Sequence, residues 1–302
     1  MNLTGADHAA AHSLLCFGAL GFLFVALVCY CLKLLSRQIP GFRFLFSQCL
    51  SGLLMFIQFG IWPGIVILVG HDPLPEALTP YIHFYIDVTW FAMAWHYPLV
   101  AWSRFAAVKW PFWFQRSSST FCLGLCCAPW LGGIAQAVIM RIFGWTVPFY
   151  YSADNYGIET ADFASYRQKG SAAYFETNHF IICILLVSFY AGAVCFAPKN
   201  SAAESLPLPT NRRLVQRRST ASRLLYLSIE KRLLIPCAIN TISYMVAVIM
   251  FKYCLPDGKW GVWAVEMMFM ANSALNPMLL LAFSDVLRKR LKTVIVCGMT
   301  IS

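Results

Sequence analysis

The sequence predicts an all-α integral membrane protein: a bundle of seven transmembrane helices followed by a short amphipathic eighth helix. Of its 302 residues, 59% are hydrophobic and only 12% are charged, whereas soluble domains carry about 25% charged residues. A soluble domain of this size must still cover itself with polar surface, so this composition indicates that lipid is the solvent for much of the chain. The charge is also unevenly placed, because Lys and Arg cluster between and after the apolar segments.

Seven segments are long and apolar enough to cross a bilayer, which takes about 20 mostly apolar residues in a helix. The third is the most polar, since it contains His83, Asp87 and His96. Several of the spans contain internal prolines, which are tolerated because a helix bundle in lipid can satisfy the carbonyl groups that proline leaves free. The predicted spans are 13–35, 44–70, 81–110, 120–140, 178–197, 232–254 and 261–283.

The loops predict the orientation of the bundle. One side carries 18 Lys and Arg residues and the other carries 5. Because loops rich in Lys and Arg stay in the cytoplasm, we expect the N-terminus outside and the tail inside, at the plasma membrane. The net charge of +10 then reflects topology, and no nucleic-acid partner is expected. The predicted organisation is an extracellular N-terminus over 1–12, the bundle over 13–283, and an amphipathic helix with a cytoplasmic tail over 284–302.

Other features concern the loops and the tail. Phe283, Leu287, Leu291 and Val294 recur at helical spacing with basic residues between them, which predicts a helix lying on the lipids of the anionic inner leaflet. Cys297, just beyond, is a candidate for palmitoylation. Near the other end of the chain, Asn2 begins a glycosylation sequon. The long outer segment 141–177 is placed to lie over a pocket.

Two motifs resemble those of rhodopsin-like G-protein-coupled receptors. Ser103-Arg104-Phe105 ends the third span and resembles the Asp-Arg-Tyr signature, with Ser in place of the acid. In the seventh span, the segment 272–280 is similar to Asn-Ser-x-x-Asn-Pro-x-x-Tyr, with Leu280 in place of the tyrosine. In these departures from the two motifs, and in its short length, the chain further resembles nematode serpentine chemoreceptors of class x.

The resemblance implies a receptor that signals to a heterotrimeric G protein. Arg104 has lost its neighbouring acid, so we expect Glu230, before the sixth span, to be its partner in the inactive state. Separation of that pair would open a groove for the G protein. Asn276 and Pro277 would form a polar hinge in the seventh span. The alternative is that Arg104 only anchors its helix at the membrane surface and that Pro277 only kinks its helix.

The ligand, a small molecule or a peptide, would meet polar groups in the outer halves of the spans. His83, Asp87 and Trp90 share one face of the third helix, and an intramembrane carboxylate is a functional candidate by default. Glu266 lies about 15 Å above Asn276 along its helix. One hypothesis is a cation held between Asp87 and Glu266.

The other hypothesis is that these acids pair with His83, Arg141 or Lys259. Tyr244 and Met270 complete the ligand candidates, with helix packing as the alternative role of the aromatic side chains. The family's amine-binding aspartate corresponds to Ile86, so that mode of binding amines does not carry over.

Other classes of membrane protein fit less well. A zinc hydrolase would need clustered intramembrane histidines with acids, whereas the histidines within the spans, His83, His96 and His179, are separated along the chain, so no enzymatic activity and no metal are expected. An opsin needs a lysine in the seventh span, and the segment 261–283 has none, so no cofactor is expected. A small-solute transporter or a channel remains the alternative, because Asp87, Glu266 and the prolines could line a path.

Overall fold

The computed structural model describes residues 3–143, 147–160, 162–168, 170–196, 232–251 and 258–299. Within these residues, six segments are long and apolar enough to cross a membrane, one fewer than predicted. The seventh, α4, is more polar but is 31 residues long and packs among the others. The bundle is therefore a seven-helix membrane bundle, as predicted. We call the end where α1 begins the N-terminal face, and the opposite end the C-terminal face. The helices are α1 (Gly5–Leu35), α2 (Pro40–Phe56), α3 (Trp62–Val69), α4 (Thr79–Lys109), α5 (Pro111–Arg116), α6 (Ser119–Ile142), α7 (Phe163–Gln168), α8 (Ser171–Phe196), α9 (Arg232–Phe251), α10 (Lys259–Phe283) and α11 (Asp285–Met299).

The first helix begins at Gly5, ahead of the predicted start of the span at Ser13. Thr4 and Asp7 form a capping box, in which the Thr4 hydroxyl accepts from the Asp7 backbone N–H and the Asp7 carboxylate accepts from the Thr4 backbone N–H. Such a box satisfies backbone donors that the first turn leaves unpaired. Most of the segment 1–12 is thus a helical extension of the first span.

The second span is continuous, with α2 and α3 joined by a π-helical turn over Ile57–Ile61. The side chain of Gln58 in this turn accepts a hydrogen bond from Thr89 of α4, and both residues are buried. The Tyr85 hydroxyl donates to the Leu54 carbonyl at 2.9 Å. Because π-helical turns change the direction of side chains within a helix, this turn brings a polar group of α2–α3 against α4.

The third span, α4, lies at the centre and packs against α2, α6 and α8. His96 is fully buried there, and its Nε2 lies 2.8 Å from the Ser47 hydroxyl of α2. On α6, Gly133 lies directly against the α4 backbone, since a Cβ at this position would lie 2.7 Å from the Val88 carbonyl oxygen. Small residues permit this close approach of helices in membranes.

A hairpin covers the N-terminal face. Its strands are β1 (Phe149–Ser152) and β2 (Gly157–Thr160), paired antiparallel with Tyr151 opposite Ile158. Tyr156 in the turn has a φ of 57°, a conformation that a bulky residue adopts only when its surroundings hold it. The side chain of Tyr156 is fully buried. The hairpin, which belongs to the outer segment 141–177, therefore packs on the bundle.

The eighth helix, α11, begins as expected, with the Ser284 hydroxyl accepting from the Leu287 backbone N–H at 3.3 Å. Leu287 is fully buried against the bundle. Asp285 forms ion pairs with Arg288 and, at 3.0 Å, with Arg232 at the start of α9. These contacts connect α11 with the C-terminal end of α10 and with α9.

Candidate functional site

Arg104 is buried at the C-terminal end of α4, with 1% of its surface exposed. Its Nη2 donates to the Gly41 carbonyl of α2 at 3.1 Å, and its Nε donates to the Ser103 hydroxyl at 3.2 Å. That hydroxyl in turn donates to the Val100 carbonyl at 2.7 Å. Ser103 therefore binds the guanidinium as a neutral acceptor. The predicted partner Glu230 lies outside the described residues.

Phe105 connects α4 to α8. Its ring packs near Phe189 and Phe196 and fills the space beside Gly192, where a Cβ would lie 2.8 Å from it. One turn further along α4, the Lys109 ammonium lies over the rings of Phe105, Phe196 and Trp110 at 5.2, 4.4 and 4.7 Å. Because cation–π contacts of this kind are attractive, this cluster holds together the C-terminal ends of α4 and α8.

A polar core lies between these residues and the middle of the bundle. Asn276 of α10 donates to the Gln48 side chain of α2 at 2.8 Å, and Asn272 donates to the Tyr97 hydroxyl of α4 at 2.6 Å. The Tyr97 ring stacks on Tyr244 of α9, with centroids 4.2 Å apart. The predicted hinge helix α10 is thus hydrogen-bonded to two other spans.

A small cavity of about 20 Å³ lies within this core, with room for one water molecule. Its wall includes the side chains of three asparagines, Asn240, Asn272 and Asn276, together with Pro277. The amide oxygens of these asparagines have no hydrogen-bond partner among the described residues. The motif resemblance pointed to α10, but not to Gln48, Tyr97 or Asn240. Their polarity within apolar spans was the available signal.

The ligand candidates on α4 face different neighbours from those expected of a shared site. The Asp87 carboxylate lies 3.8 Å from the Arg141 guanidinium of α6, which also lies over the ring of Phe84. His83 is partly buried, and its Nε2 has no partner among the described residues. Asp87 thus has the ion-pair partner that the second hypothesis named.

Glu266 of α10 has a different partner, the hairpin. Its Oε1 accepts a hydrogen bond from the Ile158 backbone N–H at 2.7 Å, and Gly157 packs against the same side chain. Burial raises the pKa of Tyr151 in the same hairpin, and the nearby acidic groups of Glu266 and Asp72 raise it further. The two carboxylates therefore bind separate groups, and the structure does not bring Asp87 and Glu266 together around one cation.

Aromatic side chains form a floor below Glu266. Trp90 meets the rings of Phe59 and Phe269 edge-on, with centroids 6.1 and 4.9 Å apart, and His179 lies 5.8 Å away. We call Phe59, Trp90 and Phe269 the aromatic floor. Phe269 was missed by the sequence analysis, and three residues after Glu266 it lies one turn deeper on α10.

Two further ligand candidates lie within packed contacts. Met270 is fully buried, and its sulfur fills the space beside Gly60, where a Cβ would lie 2.3 Å from it. Tyr244 is also buried, next to Tyr97 in the polar core.

The hairpin is also held at its outer edge. The Tyr156 hydroxyl donates to the Asp7 carboxylate, and the Lys259 ammonium lies 3.1 Å from Asp7 and 4.5 Å from the centre of the Tyr156 ring. Trp260 packs against the same ring, with centroids 5.3 Å apart. This cluster connects the start of α1, the hairpin and the start of α10, and so closes the N-terminal face.

Comparison with known proteins identifies the fold. No protein-family model matches the chain, and no curated protein matches it. Among solved structures, squid rhodopsin is similar with a TM-score of 0.68 at 15% sequence identity, over 97% of this chain and 82% of the rhodopsin chain. The chain is therefore a multi-pass membrane protein with the seven-helix fold of rhodopsin.

Proposed function

We propose that the protein is a G-protein-coupled receptor that binds a small-molecule or peptide ligand at its N-terminal face and signals to a heterotrimeric G protein at its C-terminal face. The observation that carries the proposal is Arg104. A guanidinium that is 99% buried at a helix end is costly unless it is paired, and it lies where the rhodopsin-like motif requires one. The fold likeness to squid rhodopsin supports the same function.

The proposed switch uses the contacts of Arg104 and of the polar core. In the structure the guanidinium binds the backbone of α2 through Gly41 and the side chain of Ser103, both of which are neutral. A neutral acceptor holds arginine less tightly than a carboxylate does, so these two hydrogen bonds exchange readily when the C-terminal face rearranges. We propose that Glu230 pairs with the guanidinium in the inactive state, and that Asn276 and Pro277 let α10 bend.

Further parts of the proposal rest on the sequence. The distribution of Lys and Arg supports a plasma-membrane receptor with the N-terminal face outside, and the departures from the family motifs support a chemosensory role. Asn2 lies outside the described residues, as does the side chain of Cys297, and both remain candidates for modification. The fold and the absence of clustered histidines in the spans favour a receptor over an enzyme.

The test is G-protein activation in cells that express the wild type or Arg104→Ala, with and without a panel of small odorants. Surface expression is measured in parallel. Arg116→Ala is the matched control, because Arg116 lies on the same face of the bundle but is exposed. We expect signalling to be lost in Arg104→Ala and retained in Arg116→Ala.

Two outcomes would contradict the proposal. Equal signalling by wild type and a surface-expressed Arg104→Ala would show that Arg104 is not required for activation. Ion currents or solute uptake by a wild type that activates no G protein would favour a channel or a transporter.

A further inference from the structure

Glu266 is a buried acid of α10 that has no ion-pair partner among the described residues. Only 1% of its surface is exposed. Its Oε1 accepts from the Ile158 backbone N–H, while its Oε2 is buried without a hydrogen-bond partner among the described residues. The other buried acid among the described residues, Asp87, has Arg141, and the nearby cation Lys259 is paired with Asp7.

A carboxylate in this position is expensive. Moving a charged group out of water costs several kcal/mol unless it is paired, and one neutral N–H donor offsets only part of that cost. Proteins retain such groups where they bind something, which is why an intramembrane acid marks a functional site by default. Oε2 of Glu266 is a buried acceptor with no donor among the described residues.

We propose that Glu266 binds the protonated amino group of a small ligand, which takes the place of the Ile158 N–H. This inference rests on the proposed receptor function and names the chemical class of its ligand. A primary ammonium group supplies both the positive charge and more than one N–H donor, so it can satisfy Oε1 and Oε2 together. The hairpin N–H supplies one donor and no charge.

The hairpin provides the space for such a ligand. The Ile158 side chain is partly buried between the hairpin and the bundle, so lifting β2 vacates a volume of aliphatic size next to Glu266. The aromatic floor lies about 4.5 Å deeper along α10. The rings of this floor and the place of the Ile158 side chain fit an ammonium group joined to a small apolar body, and arylalkylamines have this form.

Glu266 is not the position at which the family resemblance places an amine-binding acid, which lies on the third helix. That position is Ile86, and the adjacent acid Asp87 pairs with Arg141 on the α6 side. The amine would therefore be held from α10 and from beneath the hairpin.

Glu266→Gln separates this role from a purely structural one. A glutamine keeps an oxygen that can accept from the Ile158 N–H, so a group that only fastens the hairpin works nearly as well after the change. It loses the negative charge, so an amine anchor fails. Glu76→Gln is the matched control, because Glu76 is an exposed acid on the same face.

The experiment measures thermal unfolding of the purified full-length protein in lipid nanodiscs with 2-phenylethylamine or with its uncharged counterpart 2-phenylethanol. For a Kd of about 1 mM and an amine concentration of about 10 mM, the wild type should gain about 3 °C in Tm. Glu76→Gln should show the same gain, and Glu266→Gln should lose it. The alcohol should give no comparable shift to any of them.

A second measurement reports on the hairpin in the wild type alone. If the amine displaces the Ile158 N–H from Glu266, hydrogen exchange of that amide should become faster with 2-phenylethylamine and stay unchanged with 2-phenylethanol. An amine shift as large in Glu266→Gln as in the wild type would overturn the proposal, and so would a wild type with no amine-specific shift.

Both assays are independent of G proteins, so their failure is distinct from failure of the receptor function. A protein that signals through Arg104 but ignores amines refutes the amine site alone. A protein that binds amines at Glu266 but activates no G protein refutes the receptor function alone.

Discussion

Two adjacent glycines of α6, Gly132 and Gly133, allow the central helix contact to be tested. A Cβ at Gly133 would lie 2.7 Å from the Val88 carbonyl oxygen and 2.9 Å from the Ala92 backbone nitrogen, whereas a Cβ at Gly132 has nothing within 4 Å. The two obstructing atoms belong to the α4 backbone, which cannot rotate away as a side chain can. Gly133→Ala therefore forces the helices apart, and Gly132→Ala does not.

The two substitutions should change the free energy of unfolding in opposite directions. Ordinary contact begins at 3.4 Å, so α4 and α6 must separate locally by about 0.7 Å in Gly133→Ala. Overpacking of this kind costs typically about 1–3 kcal/mol, and we take about 2 kcal/mol. Gly132→Ala should instead stabilise the helix by about 0.5 kcal/mol, since alanine loses less backbone entropy than glycine. The two variants should differ by about 2.5 kcal/mol.

Thermal unfolding of the purified variants in one detergent, followed by tryptophan fluorescence, measures this difference. About 2.5 kcal/mol corresponds to about 5–10 °C in Tm for a chain of this size, with Gly133→Ala the less stable variant. Equal Tm values for the two variants, or a lower one for Gly132→Ala, would refute the close approach of α4 and α6 at Gly133.

Three further predictions concern the polar core and the C-terminal face. Gln48→Ala leaves the Asn276 amide without its acceptor, so the free energy of unfolding should fall by about 1–3 kcal/mol; a loss under about 0.5 kcal/mol in thermal unfolding would contradict this. Asp285→Asn removes the ion pair of α11 with Arg232 of α9, which is exposed and screened by water, so the free energy of unfolding should hardly change, while basal G-protein activation rises because the start of α9 loses a contact; unchanged basal signalling would count against a role of this pair in holding α9. Hydrogen bonding and the positive charge of Arg288, with the charge of Arg232, hold the pKa of Asp285 below its usual range, so its contribution is present above the unfolded pKa and lost only as the pH falls through the folded value. The difference in basal G-protein activation between Asp285→Asn and wild type should therefore be constant from about pH 8 to about pH 5, and a difference that disappears within this range would argue against the pair.

Much of the fold follows from local sequence properties. Whether a segment spans a membrane depends mainly on its length and hydropathy, so the seven-helix bundle and the amphipathic helix are confirmed with shifts at their ends. The polar α4 is the span whose hydropathy is least informative. The largest shifts occur where polar residues extend a helix beyond the apolar stretch. Gly5 to Ala10 in α1, which follow the Thr4 cap, and the first turns of α8 from Ser171 are such extensions.

The candidate site was less predictable. Arg104 and Asn276 were identified because they belong to short motifs, and the structure shows both of them buried and hydrogen-bonded. Gln48 was missed because nothing local shows that it faces Asn276, more than two hundred residues away along the chain. The pairing of Gln48 with Asn276 depends on how α2 is rotated against α10. The π-helical turn at Ile57–Ile61 directly follows α2 and breaks the regular spacing of its side chains.

The sequence by itself therefore determined that the chain is embedded in lipid, how many spans it has, that an eighth helix follows them, and where Arg104 lies. Each of these depends on composition or spacing within one segment. Only the tertiary structure decided how the two buried acids differ. Asp87 is paired with Arg141 of α6, whereas the partner of Glu266 within the described part of the chain is a backbone N–H of the hairpin, which is far from α10 in sequence. The partner of a buried charge depends on the rotation and packing of whole helices, and those are set by contacts between residues far apart in sequence.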